Sequence, residues 1–424
     1  MAGPLPRHLL PDHAAVSADG RLSIAGCDVL DLAAEFGTPL FVYDEEHLRA
    51  RCREAVEAFG DGAVYATKAF LCTAMARLVH EEGMRLDVAT GGELFVALHA
   101  GVPADRLVMH GNNKSLTELA EALDAGVGRI VIDSFEEIDR LEALVAEGHP
   151  VPQVHVRITP GVEAHTHEFV RTGQDDSKFG FGVNSGDAER AVKRVASSTA
   201  LDLVGLHCHI GSQVFRVESY TEAMEVISAF AAPFGLPELS VGGGLGVAYV
   251  EGEESATIPA WAGVIRRAAE QAGLEATLFA EPGRAIAAAA AVTLYRVGTM
   301  KHIPGVRTYV AVDGGMSDNP RPVLYGSGYE AFLPRNTDAV RSSSARIVGK
   351  HCESGDVLID EAALPDDLVV GDVLATPVTG AYGLSMGSNY NKIRRPAAVF
   401  VKSGEARLVV RRETYEDLVA CDVV

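Results

Sequence analysis

Short apolar runs alternate with amphipathic helical stretches from about residue 40 to residue 284. The strand-like runs are Gly62–Ala69, Arg85–Thr90, Arg106–Gly111, Arg129–Ser134, Gln153–Thr159, Leu203–Ile210, Leu239–Gly243 and Thr277–Ala280. Helical periodicity fills the gaps at Thr73–Glu82, Gly92–Ala100, Leu116–Ala125 and Phe135–Glu147. About eight βα units in roughly 240 residues predict a parallel (β/α)8 barrel, although periodicity alone also admits a doubly wound open sheet. After Arg284 the texture changes. Val292–Val297, Thr308–Asp313, Ala345–Lys350, Asp356–Ile359, Asp372–Thr379, Ala397–Lys402 and Ala406–Arg411 read as strands with no long helix between them, and Ser403-Gly404-Glu405 reads as a hairpin turn. Arg21–Ile24 and Leu40–Tyr43 can add strands to that region. The expected organisation is an α/β barrel over residues 46–284 and an all-β, sandwich- or barrel-like domain from residues 1–45 plus 285–424.

Composition narrows the function classes. The 424 residues carry a formal net charge of −21, which argues against a nucleic-acid partner, since phosphate binding needs clustered Lys and Arg, but leaves room for an anionic ligand in a local pocket of arginines. The six cysteines (Cys27, Cys52, Cys72, Cys208, Cys352 and Cys421) are scattered, with neither a CxxC pair nor a small disulfide framework. No secretory signal is read in Met1 to Asp12, and the longest apolar stretch, Ala285 to Tyr295, is too short to span a bilayer. The expectation is a soluble cytoplasmic protein with no membrane partner.

Several short motifs fall at predicted strand ends, the face on which a barrel carries its chemistry. Lys68 closes Val64-Tyr65-Ala66-Thr67, where it can act as a nucleophilic amine or simply reach solvent. His207, His209 and Ser212 follow an apolar run and suit a ligand-facing loop. A metal site would need further ligands such as His165 and His167, but no closed-site spacing is present, so none is expected. Gly242-Gly243-Gly244 lets backbone N–H groups approach a phosphate, or makes an ordinary tight turn; no Gly-Lys-Ser/Thr follows it. Glu281-Pro282-Gly283-Arg284 offers a carboxylate for a ring nitrogen and a guanidinium for a phosphate or carboxylate. Cys352-Glu353, Arg321 and Tyr382 lie in turn-prone segments, and Asn112-Asn113-Lys114 takes no assigned role. A strand-end lysine, a glycine run and a buried acid are together what a pyridoxal phosphate enzyme needs.

In this order and spacing, Tyr65 to Ala69, His207 to Ser212, Gly242 to Gly244, Glu281 to Arg284 and His351 to Asp356 resemble the diaminopimelate decarboxylases. These belong to the barrel-type (fold-type III) pyridoxal phosphate-dependent decarboxylases. Ser177 to Gly180, Asp313 to Asn319 and Gly380 to Tyr382 extend the resemblance to nearly the whole chain. Two departures are mild: Phe70 stands where Asn is common, and Thr67 where Val is frequent.

The resemblance implies decarboxylation of meso-2,6-diaminopimelate to L-lysine in a cytoplasmic homodimer with shared active sites. Lys68 would bond the cofactor covalently, His209 would stack on its ring and Ser212 would touch it. Glu281 would meet the ring nitrogen. Gly242, Gly243, Gly244 and Arg284 would surround the phosphate, with Gly244 foremost, and Pro282 and Gly283 would also bind the cofactor. Tyr382 would reach both cofactor and substrate. Cys352, from the partner subunit, would be the proton donor, beside Glu353 on the distal amine. Arg284, Arg321 and Tyr325 would receive the distal carboxylate. A related decarboxylase of ornithine, lysine, arginine or a carrier-bound amino acid is the alternative. The Arg321 and Glu353 pair disfavours it, because a substrate without a distal carboxylate leaves a buried guanidinium unpaired.

Overall fold

Eight strands are parallel neighbours in the computed structural model, which describes residues 2–161, 176–215 and 218–423. They are Val64–Ala66, Arg85–Val88, Leu107–Met109, Arg129–Ile132, Gln153–Thr159, Asp202–His207, Glu238–Ser240 and Thr277–Phe279. The last returns to the first: the Val64 N–H donates to the Ala280 carbonyl at 2.9 Å, and the Ala280 N–H donates to the Gly62 carbonyl at 3.0 Å. The sheet is therefore a barrel rather than an open doubly wound sheet. Its strands are short and apolar because both faces are covered, with Val64, Val108, Val131 and Phe279 meeting inside.

Helices Thr73–Glu81, Gly91–His99, Leu116–Ala125 and Phe135–Ala146 follow the first four strands. Local chemistry starts each of the last three. Thr90 and Ser134 accept from the N–H groups of Glu93 and Glu137, and Ser115 forms a reciprocal capping box with Glu118. The strands end earlier than the apolar runs suggest. Thr67–Ala69 is a 3-10 turn, and His209 and Gly242 to Gly244 lie beyond their strands. Except at Gln153–Thr159, the end of each run leaves the ladder to make the loops at the barrel mouth.

The barrel belongs to a compact unit of Arg51–Val247 and Ser255–Ala285; the other unit is Met1–Ala50, Ala248–Glu254 and Ile286–Val424. That second unit is built on an eight-stranded mixed sheet. Its central strand, Ala291–Ile303, pairs antiparallel with Leu40–Asp44, Val373–Pro377 and Arg307–Val312. Leu40–Asp44 also pairs in parallel with Ala397–Lys402, so the N-terminal segment is integral to the sheet. Leu22–Ile24 instead joins a separate three-stranded sheet with Ala14–Val16 and Cys27–Asp28. The segment Ala248–Glu254 is held in this unit by Arg341, whose guanidinium is buried and pairs with Glu251 at 2.9 Å and Glu330 at 2.6 Å. Among the described residues, no helix is long and apolar enough to cross a membrane.

Candidate active site

Every barrel strand delivers polar groups at or just beyond its C-terminal end, and three of these groups converge on Glu281. The Ser240 hydroxyl donates to the Glu281 carboxylate at 2.7 Å. His207 Nε2 lies 3.1 Å from the carboxylate and His110 Nε2 lies 3.5 Å from it. Burial alone would raise this acid. The imidazoles of His207 and His110, with the hydrogen bonds from His207 and Ser240, overcome that and hold the carboxyl well below the usual range. Burial drives His110 itself well below the ordinary imidazole value, against the pull of Glu281. Among the described residues, His110, His207 and Glu281 also form the group whose ligand atoms, all within 4.8 Å, could share a metal ion. His165 and His167 lie outside the described residues.

Across the mouth, Lys68 is exposed in the turn after the first strand. Two acids of the second βα unit face it electrostatically. Burial, and next the Glu281 charge, push Asp87 well above the usual carboxylate value, with Lys68 opposing. Burial likewise raises Glu93, against its bond from the Ala89 N–H and the Lys68 charge. Asp87 is fixed to the lysine's own turn: it accepts from the Thr67 N–H at 3.1 Å, while its carbonyl accepts from the Thr67 hydroxyl at 2.8 Å. Thr67 therefore does what a valine there could not. Phe70 is buried, and its carbonyl receives the Tyr65 hydroxyl at 2.9 Å.

The glycine run is almost fully committed to the protein. The Gly242 N–H donates to Ser240 Oγ at 3.2 Å and the Gly243 N–H to His209 Nδ1 at 3.1 Å. Accepting that bond puts the His209 proton on Nε2, and burial, followed by the charges of Lys68 and Arg157, keeps the ring neutral. The Gly244 N–H differs: no acceptor for it lies among the described residues. Gly244 has φ +109°, and a Cβ there would sit 2.1 Å from the Gly211 carbonyl, so only glycine can present this N–H. Arg284 Nη2 donates to Ser212 Oγ at 3.0 Å. Pro282 and Gly283 are buried, Gly283 against Ala66 and Ala69 of the first βα unit. This set suits a planar anionic cofactor: an ionised acid held by donors, a neutral ring, a glycine amide with no acceptor among the described residues and an arginine on Ser212.

The remaining expected residues lie in the second unit. Arg321 opens the short helix Arg321–Tyr325 and is buried with its guanidinium carbon 4.2 Å from the centre of the Tyr249 ring and 5.5 Å from that of Tyr329. Burial disfavours its charge, but Tyr249 and Tyr329 outweigh this and raise its pKa. Among the described residues no carboxylate pairs with it. Tyr382 is near enough to influence that charge and adopts φ +58°, a conformation rare outside glycine. Cys352 and Glu353 are exposed on a different loop. The Cys352 N–H is held by Asn391 Oδ1 at 3.0 Å, and Asp356 accepts from the N–H groups of His351 at 2.9 Å and Met316 at 2.7 Å.

Asp87, Glu93, His110, Arg157 and Ser240 were missed in the sequence. A signal existed for two of them, since Asp87 and Arg157 are charged residues flanked on both sides by apolar ones within strands.

The model of the pyridoxal-dependent decarboxylase family, pyridoxal binding domain, matches residues 45–288. The chain is 48% identical over 425 residues to the diaminopimelate decarboxylase of Mycobacterium tuberculosis, covering 95% of each. It is 47% identical over 421 residues to the Bacillus subtilis enzyme of the same name, again covering 95% of each. A crystal structure of diaminopimelate decarboxylase from m. jannaschii in co-complex with L-lysine superposes with a TM-score of 0.90 at 33% identity, over 97% of this chain and 98% of that one.

Proposed function

The chain belongs to the diaminopimelate decarboxylases, within the pyridoxal-dependent decarboxylase family, and on that premise we propose how its residues divide the work. The reaction is decarboxylation of meso-2,6-diaminopimelate to L-lysine and carbon dioxide, the last step of lysine biosynthesis, with pyridoxal phosphate as cofactor. When bound, the cofactor supplies a conjugated acceptor for the electron pair left as the α-carboxylate departs.

The observation that carries the residue assignment is the corner in which Glu281 is ionised by Ser240, His207 and His110. An acid kept charged inside a barrel can hold a proton on a ring nitrogen, which strengthens the acceptor. Lys68 would bond the cofactor, give way to the substrate amine and return to release the product. The neutral His209 ring would lie against the cofactor's face. The Gly244 N–H, Ser212 and Arg284 would hold the phosphate. Gly242 and Gly243 would shape that loop rather than contact the anion, because their N–H groups are already spent on Ser240 and His209. Pro282 and Gly283 would keep Glu281 and Arg284 in place.

Arg321, with no carboxylate partner among the described residues, is the candidate receiver of the distal carboxylate, with Arg284 and Tyr325. Tyr382 would touch cofactor and substrate, Glu353 the distal amine, and the Cys352 thiol would return a proton to the α-carbon. In this reading Cys352 and Glu353 come from the second subunit of a cytoplasmic homodimer.

The test is carbon dioxide and lysine release from meso-diaminopimelate with added cofactor, run beside L-lysine, L-ornithine and L-arginine. Turnover of meso-diaminopimelate alone is expected. Equal turnover of L-ornithine would remove the distal-carboxylate role of Arg321. Shared sites are tested by mixing inactive Lys68→Ala and Cys352→Ala subunits. Random pairing should restore roughly a quarter of wild-type activity, and no recovery would place both residues in one subunit's site.

A further inference from the structure

Gly243 C=O and Gly244 N–H are the two ends of one rigid peptide plane, so whatever fixes the carbonyl aims the amide. The Gly243 carbonyl accepts from the Tyr220 hydroxyl at 3.2 Å. The neighbouring carbonyls are tied to backbone instead, Gly242 to the Glu281 N–H and Gly244 to the Val214 N–H, each at 2.9 Å. Of these three carbonyls, only that of the Gly243–Gly244 peptide, whose amide finds no acceptor among the described residues, is held by a side chain. Tyr220 lies near the start of helix Glu218–Ala231 and is 2% exposed. Its ring meets Trp261 edge-on at 5.5 Å, and Trp261 meets Phe59 in the same way at 5.4 Å. The hydroxyl is thus held by a buried aromatic row rather than by a mobile loop.

We propose that Tyr220 is a positioning residue for the cofactor's phosphate: its hydroxyl orients the Gly243–Gly244 peptide so that the Gly244 N–H points at the anion. The inference rests on the reading of Gly244 as a phosphate contact. It extends that reading by one layer, to a residue that itself touches neither cofactor nor substrate. A hydrogen bond into the carbonyl also polarises the peptide, which strengthens the amide as a donor. Both effects require the phosphate and neither concerns the pyridine ring.

The test compares two ligands on the cofactor-free protein, pyridoxal phosphate and pyridoxal, which lacks the phosphate. Trp261 is the sole tryptophan and packs against Tyr220, so its fluorescence reports both titrations. Wild type should bind the phosphorylated ligand far more tightly. Tyr220→Phe keeps the ring and removes one oxygen. It should weaken pyridoxal phosphate about tenfold, the factor that one such hydrogen bond supplies, and leave pyridoxal within about twofold. The result is read as the ratio of the two affinities, which a general loosening of the barrel lowers for both ligands alike. The melting temperature is followed alongside. An unchanged ratio in Tyr220→Phe overturns the role of Tyr220 while leaving the phosphate site standing. A wild-type protein indifferent to the phosphate overturns both.

Discussion

Glu281 at the barrel mouth and Asp318 in the second unit are both buried acids, and their surroundings send them in opposite directions. Burial pushes each upward. Glu281 then meets two imidazoles and a hydroxyl, and ends well below the usual carboxylate range. Asp318 receives the Tyr295 hydroxyl and the Gly315 N–H, but its charged neighbours Asp313 and Asp356 are both acids, and it ends at about 7. Burial therefore does not decide whether a carboxylate is charged; the supply of positive or donating neighbours does. One acid is set up to hold a proton on a partner, while the other holds its own.

The strongest way to break this contrast is Glu281→Gln, which keeps the shape and removes the charge. Lysine formation should fall roughly a hundred- to a thousandfold with cofactor saturating, the scale of losing one preorganised electrostatic contact. A loss below about threefold in a steady-state assay would take Glu281 out of the chemistry. Asp318→Asn should have far less effect on turnover and should instead alter how stability depends on pH. The folded value of Asp318 lies above its unfolded 3.8, so folded protein binds more protons between about pH 4 and 7. Its contribution is complete below that window and is lost as pH rises through it. Glu281 has the reverse sign: its contribution is present above about 4.5 and is lost as pH falls through the folded value. Urea midpoints at pH 5 and pH 8 should therefore drop less in Asp318→Asn than in wild type, and equal drops would refute the assignment.

The barrel mouth was legible where a strand's pattern ends in something other than a turn residue, as at Lys68, His209, Gly242 to Gly244 and Glu281. Each stands out against its own apolar run. The partners of those residues were not legible. Ser240 meets Glu281 through the pairing of two neighbouring strands, and His110 reaches it from a strand that is not its neighbour, while Tyr220 is one aromatic in an amphipathic helix. In the second unit, Arg321 was found but the Tyr249 and Tyr329 faces that enclose it were not. Tyr249 follows the glycine run in sequence and nothing local marks it as belonging to the other unit. Strand limits were read too long for a related reason. Hydrophobicity continues into the first residues of the functional loops, whereas the hydrogen-bond ladder stops before them.

The seam between the first and last barrel strands has a consequence for how the protein comes into being. Lys68 lies just past one side of that seam and Glu281 just past the other, near opposite ends of the barrel segment. Gly62 lets the two edges meet, since a Cβ there would sit 2.1 Å from the Leu278 carbonyl. A ribosome must therefore release almost the entire barrel before the pocket exists. Closing so long a chain segment is the entropically demanding event of folding. A ligand that grips both edges rewards that closure directly, by an amount that grows with its free concentration. Vitamin B6 supply is thus expected to govern how much of the newly made chain reaches its finished form, as well as how fast the finished form works.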